Sequence, residues 1–129
     1  QARAIPADWV RAFVPQQAVL ARADLCVTHA GLNTTLECLA AGVPMLALPL
    51  THDQPGVAAR IAHCGAGLRL HPWQRSTARI AAAVRTLLDD PGYRQAARQF
   101  AAQAGTWEGA AGAIDRVEAL FTAPRPATA

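Results

Sequence analysis

At 129 residues, 52% of them hydrophobic and 16% charged, the chain is long enough for one hydrophobic core and too short for two. Its longest apolar stretch, Val43–Leu50, is broken by Pro44 and Pro49 and falls well short of the roughly 20 residues a membrane-spanning helix needs; no secretion signal is visible at the start. The net charge is +3 and every basic residue is arginine, but these are scattered from Arg3 to Arg125, and one Tyr and three Phe leave little to interleave with them, so a nucleic-acid surface is not expected.

In chain order, Val10–Val14 reads as a short strand stopped by Pro15. Pro15 then opens a helix to about Arg22, since the first helical position donates no helical hydrogen bond. Leu25–His29 is a β-rich run that ends abruptly at Ala30-Gly31. Thr34–Ala41 has helical composition and closes at Gly42, a favourable residue just past a helix end. Met45–Leu48 is an apolar strand between two prolines, and Pro55 starts a helix to about Cys64 with Val57, Ile61 and Cys64 on one face. Leu68–Leu70 is a last short strand. Ser76 is the expected N-cap of a helix to Leu88, where Ile80, Val84, Leu87 and Leu88 keep helical spacing. Pro91 starts another helix to about Gln103, and a final amphipathic helix (Ile114, Val117, Leu120, Phe121) follows a Gly-rich hinge over 105–112. The domain is expected to span 1–121 and the proline-containing remainder, 122–129, to be a disordered tail.

Cys26, Cys38 and Cys64 are odd in number, widely spaced and set among apolar residues, with no C-x-x-C pair. They read as free, buried small hydrophobes rather than as zinc ligands or a redox motif. Free thiols imply a reducing compartment, the cytoplasm.

Apolar strands without polar alternation, separated by helices, imply α/β architecture: a parallel sheet covered on both faces. A doubly wound domain has about five or six strands and this chain offers fewer. Its first strands are therefore expected upstream of Gln1.

Ligands of open α/β sheets bind beyond the carboxyl ends of the strands. After the second strand, His29-Ala30-Gly31-Leu32-Asn33-Thr34-Thr35 runs straight into a helix, whose unpaired N–H groups favour a phosphate. Gly31 permits close backbone approach, and Asn33, Thr34 and His29 add donors. The same residues also satisfy a ligand-free reading, because Thr34-x-x-Glu37 has capping-box spacing. After the third strand, Asp53 and Gln54 form a carboxylate–amide pair suited to sugar hydroxyls, or else simply cap the helix beginning at Pro55. After the first strand, Phe13 either stacks on a base or packs in the core.

Other chemistries lack their residues. No G-x-G-x-x-G follows a strand, the absence of Lys rules out a Walker loop, and the only serine, Ser76, is not in a nucleophile elbow. The nine acidic residues are too dispersed for a paired-carboxylate hydrolase.

Taken jointly, F-V-P-Q at Phe13, T-H-A-G-L-N-T-T-L-E through Glu37, G-V-P-M, and D-Q at Asp53-Gln54 resemble the signature of the GT1 family of nucleotide-sugar glycosyltransferases. The signature covers Phe13–Gln54, and the flanking strand–helix order resembles the rest of that family's C-terminal domain. The longer string D-Q-P-G-V-A-A-R-I, followed by Gly65-Ala66-Gly67, is similar to the bacterial carotenoid (zeaxanthin) branch. Three features depart from the wider family: Phe13 stands where Trp is usual, Leu32 replaces the Trp of plant members, and the Gln16–His29 segment is as short as in bacterial members.

The resemblance implies a GT-B fold, here a partial Rossmann-like C-terminal domain without the N-terminal one. It implies that Phe13 stacks on the base, Val14 bonds the base through its backbone, and Gln16 lies near the ribose. His29, Gly31, Asn33 and Thr34 then hold the diphosphate, Glu37 grips the ribose hydroxyls, and Asp53 and Gln54 hold the donor sugar. The implied reaction is an inverting transfer of a hexose from a UDP- or TDP-sugar to an acceptor hydroxyl, without metal or cofactor. No catalytic base lies in this chain, since the family's catalytic His belongs to the N-terminal acceptor domain. A lipophilic acceptor such as a carotenoid would place the enzyme peripherally at the inner membrane. Two other readings stay open, a nucleotide-sugar binding module that transfers nothing and an inactive truncated fragment. A related GT-B epimerase or lipid-linked transferase is expected to carry different phosphate-loop residues.

Overall fold

Three short apolar runs make the sheet. In the computed structural model, which describes residues 9–104, 114–115 and 118–119, β1 (Cys26–Thr28), β2 (Met45–Ala47) and β3 (Gly67–Arg69) lie parallel in the order β1-β2-β3. Cys26 is opposite Met45, and Met45 is opposite Gly67. The central strand is buried at every position. Because strand side chains alternate between faces, Met45 and Ala47 join one apolar cluster while Leu46 joins another.

Among the described residues, the helices around those faces are α1 (Gln16–Leu20), α2 (Leu32–Ala40), α3 (Gln54–His63), α4 (Thr77–Asp89) and α5 (Pro91–Ala104). The first cluster takes Leu20 from α1, Cys38 from α2, and Ala58 and Ile61 from α3. The second packs Leu46 against Ala83 and Leu87 of α4, with Leu25, Leu48, Leu68 and Ile80 around them. This is the doubly covered parallel sheet that unalternating apolar strands require. Helix α5 packs on α2 and α4, and its Arg94 pairs with Asp24 at 3.0 Å. A Cβ at Gly67 would overlap the Met45 carbonyl oxygen and stand 2.8 Å from Ile61 Cγ2, so glycine is what lets β3 lie between β2 and α3.

Several boundaries differ from the sequence expectation. Val10–Val14 is exposed and forms no strand, because among the described residues no neighbouring strand meets its backbone groups. Pro15 is the N-cap of α1 rather than its first helical residue, and the helix stops at Leu20. Helix α2 starts two residues early with Gly31 as N-cap, which leaves Thr34 inside the first turn. Ser76 caps α4 as expected, accepting from the Arg79 N–H at 3.3 Å. On that helix Ala83 is buried instead of Leu88, which is half exposed. Cys38 is buried, Cys26 partly so, but Cys64 is exposed because it sits at the C-cap of α3 rather than on its inner face. Ile114, Asp115, Glu118 and Ala119 are helical, while the Gly-rich hinge, the rest of that last helix and the tail lie outside the described residues.

Candidate functional site

The loops that follow the three strands all emerge at the carboxyl end of the sheet, where they meet the segment preceding α1. Between them lies a cleft of about 570 Å³, within the range of small-molecule sites. Gln16, Thr28, His29, Thr34 and Arg75 supply its polar side. Val14, Val19, Leu20, Val27, Leu48 and Leu50 supply the apolar one. A neighbouring hollow of about 560 Å³ is lined by Phe13, Val14, Gln16 and Glu37. Val14 and Gln16 border both spaces.

The turn out of β1 is built on two local devices. Ala30 is fully buried in the left-handed region, at φ 65°, a conformation that costs a non-glycine residue about 1–2 kcal/mol. Its N–H donates to Thr28 Oγ1 at 3.2 Å, which fixes the turn. Gly31 then has an ordinary extended conformation (φ −63°, ψ 139°), so backbone freedom is not its reason for being glycine. The reason is space: a Cβ there would stand 2.6 Å from His29 Nε2. The His29 imidazole thus lies against Gly31, beside the start of α2.

No side chain caps α2. Its first-turn N–H groups, including those of Leu32 and Asn33, are unsatisfied by the helix itself and carry partial positive charge. Thr35 Oγ1 donates to the Gly31 carbonyl oxygen at 2.9 Å and steadies the turn. The capping-box reading of Thr34 and Glu37 does not hold. Both side chains are drawn to Gln16 instead, whose Nε2 donates to Glu37 Oε2 at 2.6 Å and to Thr34 Oγ1 at 3.3 Å. Residues from two separate parts of the sequence, α1 and α2, thereby form one polar patch between the cleft and the Phe13 hollow.

The remaining candidates are placed as follows. Phe13 is 87% exposed, so it is not a core residue. Asn33 is exposed in the first turn of α2. Asp53 occupies the N-cap position of α3, yet its side chain makes no capping bond. Gln54 turns its Oε1 back to accept from Leu50 N at 2.8 Å and Thr51 N at 3.1 Å, pinning the loop after β2. Neither Asp53 nor Gln54 lines the cleft. Cys26 also lines the cleft, with the buried Cys38 as its neighbour. The Cys26 side chain and burial push the Cys38 thiol far above the usual thiol range, and Cys38 in turn lowers Cys26.

Arg75 and the buried left-handed Ala30 are absent from the sequence-level candidates. Arg75 follows β3, and the rule that points to the ends of the other strands points equally to that loop. Ala30 carries no such signal, since alanine does not advertise a positive φ. Among the described residues no cluster of His, Cys, Asp and Glu is arranged to hold a metal, and no helix is long and apolar enough to cross a membrane.

A parallel sheet covered on both faces, with its polar residues gathered beyond the carboxyl ends of the strands, is here the C-terminal domain of a GT-B glycosyltransferase fold. Solved structures agree: CalG4, the calicheamicin glycosyltransferase, matches with TM-score 0.75 and 33% identity over 88% of this chain and 30% of that one. The spinosyn rhamnosyltransferase SpnG complexed with thymidine diphosphate matches with TM-score 0.74 and 26% identity, over 81% and 29%. The zeaxanthin glucosyltransferase of Pseudescherichia vulneris is 42% identical over 110 residues, 83% of this chain and 26% of that protein. Residues 1–120 match the erythromycin biosynthesis protein CIII-like C-terminal domain, and the chain belongs to that family. It spans about a quarter of the length of the curated relatives it matches.

Proposed function

We propose that this chain is the donor-binding part of an inverting glycosyltransferase that moves a hexose from a UDP- or TDP-sugar to a hydroxyl of a small lipophilic natural product. The observation that carries the reading is the joining of Gln16, Thr34 and Glu37 into one patch, with His29 and the uncapped start of α2 alongside. The spinosyn enzyme's thymidine diphosphate and the glucosyl transfer named for the zeaxanthin relative support the donor class.

On this reading the base lies over exposed Phe13 in the hollow that Glu37 also lines. Val14 borders both spaces and offers its backbone to the base. Glu37 accepts from the ribose hydroxyls, exchanging its internal bond to Gln16 for them. The diphosphate sits at the start of α2, where the Leu32 and Asn33 N–H groups, the Asn33 and Thr34 side chains and His29 donate. Gly31 serves by admitting the His29 ring. Asp53 has an unengaged carboxylate for the donor sugar, and Gln54 keeps its amide nitrogen for the same purpose while its oxygen holds the loop.

In the transfer step the acceptor oxygen attacks the anomeric carbon from the face opposite the diphosphate, its proton being taken by a base outside this chain. The bond to the diphosphate breaks, and negative charge builds on the departing oxygen. His29, Asn33, Thr34 and the α2 N–H groups face that charge already oriented, which is how preorganised donors lower a barrier.

Calorimetric titration of the purified chain with UDP and UDP-glucose, with circular dichroism alongside, tests the reading. Binding that Glu37→Ala weakens supports it. A folded chain that binds neither ligand refutes it.

A further inference from the structure

Arg75 has no part in the roles above, yet among the described residues it is the one arginine that lines the cleft. It stands between the 3-10 turn at Pro72–Gln74 and the α4 cap Ser76, in the loop after β3. One terminal nitrogen donates to the Pro49 carbonyl oxygen in the loop after β2. Its Nε is buried without a hydrogen-bond partner. Among the described residues no carboxylate pairs with Arg75, and the cleft lining contains no acidic side chain at all. Leu48 and Leu50 line the same cleft, with Thr28, His29 and Thr34 among its polar residues. A guanidinium in such a setting, partly dehydrated and unneutralised, is unfavourable until an anion joins it.

We propose that Arg75 binds the diphosphate of the nucleotide donor, adding a guanidinium charge from the β3 loop to the hydrogen-bond donors of the β1 loop and α2. This rests on the donor-site reading. The planar guanidinium can engage phosphate oxygens with more than one N–H. The nitrogen that holds Pro49 also ties the diphosphate contact to the loop carrying Asp53 and Gln54. Filling the phosphate position therefore steadies the loop that meets the sugar.

The test compares UDP with uridine, titrated into wild type, Arg75→Gln and Arg75→Lys by calorimetry with circular dichroism alongside. Arg75→Gln removes the charge and, ending about where the arginine Nε lies, also gives up the bond to Pro49, a loss for which uridine is the control. It is expected to weaken UDP on the order of tenfold to a hundredfold and leave uridine unchanged, while Arg75→Lys recovers part of the loss. Equal losses for UDP and uridine would show a purely structural role and overturn the proposal, as would unchanged UDP affinity. A second measurement needs no variant: UDP, and not uridine, shields Arg75 from phenylglyoxal, read by peptide mass. Failure of UDP to shield also overturns the proposal, even with UDP bound. A folded wild type that binds no UDP instead removes the donor-site reading, and the proposal with it.

Discussion

Replacing Glu37 by alanine tests the ribose role proposed for it, and the structure sets the size of the effect. The Glu37 carboxylate is half-buried on α2 and already accepts a 2.6 Å bond from Gln16 Nε2, a donor shared with Thr34. A ribose hydroxyl must displace or share that bond, so each new bond contributes near the low end for charged partners, about 1.5 kcal/mol, or about 3 kcal/mol for two hydroxyls. At about 1.4 kcal/mol per factor of ten, Glu37→Ala weakens UDP binding on the order of tenfold to a hundredfold. The fold should hardly notice. Alanine is the strongest helix former, and a change away from the core stays within about 0.5 kcal/mol. Calorimetry with UDP gives the affinity, thermal melting gives the stability, and Glu37→Gln, similar in shape but neutral, is expected between wild type and alanine. A variant that melts like wild type and binds UDP within about twofold of it refutes the ribose role.

Other outcomes follow from the same geometry. On the proposed reading, His29→Ala and Asn33→Ala in a complete enzyme are each expected to lower kcat by roughly 10²–10³, the usual cost of removing one preorganised donor; unchanged kcat/KM in both contradicts the phosphate assignment. Gly31→Ala is expected to act like His29→Ala, since the new methyl displaces the imidazole; activity equal to wild type would show that the ring's position is immaterial. Gly67→Ala forces a methyl into the Met45 carbonyl and should cost at least about 3 kcal/mol, visible as a lower Tm. A melting point equal to wild type would mean that β3 can move aside. Alkylation followed by mass spectrometry should modify Cys64 first, Cys26 next and Cys38 last, in order of exposure; early labelling of Cys38 would show that the cluster between α2 and the sheet opens readily.

The alternation of strands and helices from α1 onward was legible in the chain itself. Short uninterrupted apolar runs between helical segments fit strands buried on both faces, and β2, buried at every position, is that case. Local chemistry also located the start of α4, because a serine oxygen satisfies an orphan N–H without help from the rest of the fold. The joint spacing of the motifs from Phe13 to Gln54 pointed to the family, to which the chain belongs. What could not be read there depends on contacts between distant segments. Val10–Val14 has strand-like residues but no neighbour to pair with among the described residues, and a strand is defined by its partner. Thr34 and Glu37 have the spacing of a cap, and only the arrival of Gln16 from α1 decides that their side chains join one polar patch instead. Gly31 is glycine because an imidazole folds over it, and Gly67 because a neighbouring carbonyl does, neither of which any local pattern encodes. Arg75 looks like every other scattered arginine until the β2 and β3 loops meet, leaving its charge unpaired beside the start of a helix. Periodicity and turn chemistry are properties of neighbours in sequence, whereas close approach, burial and unpaired charge exist only once the chain has folded.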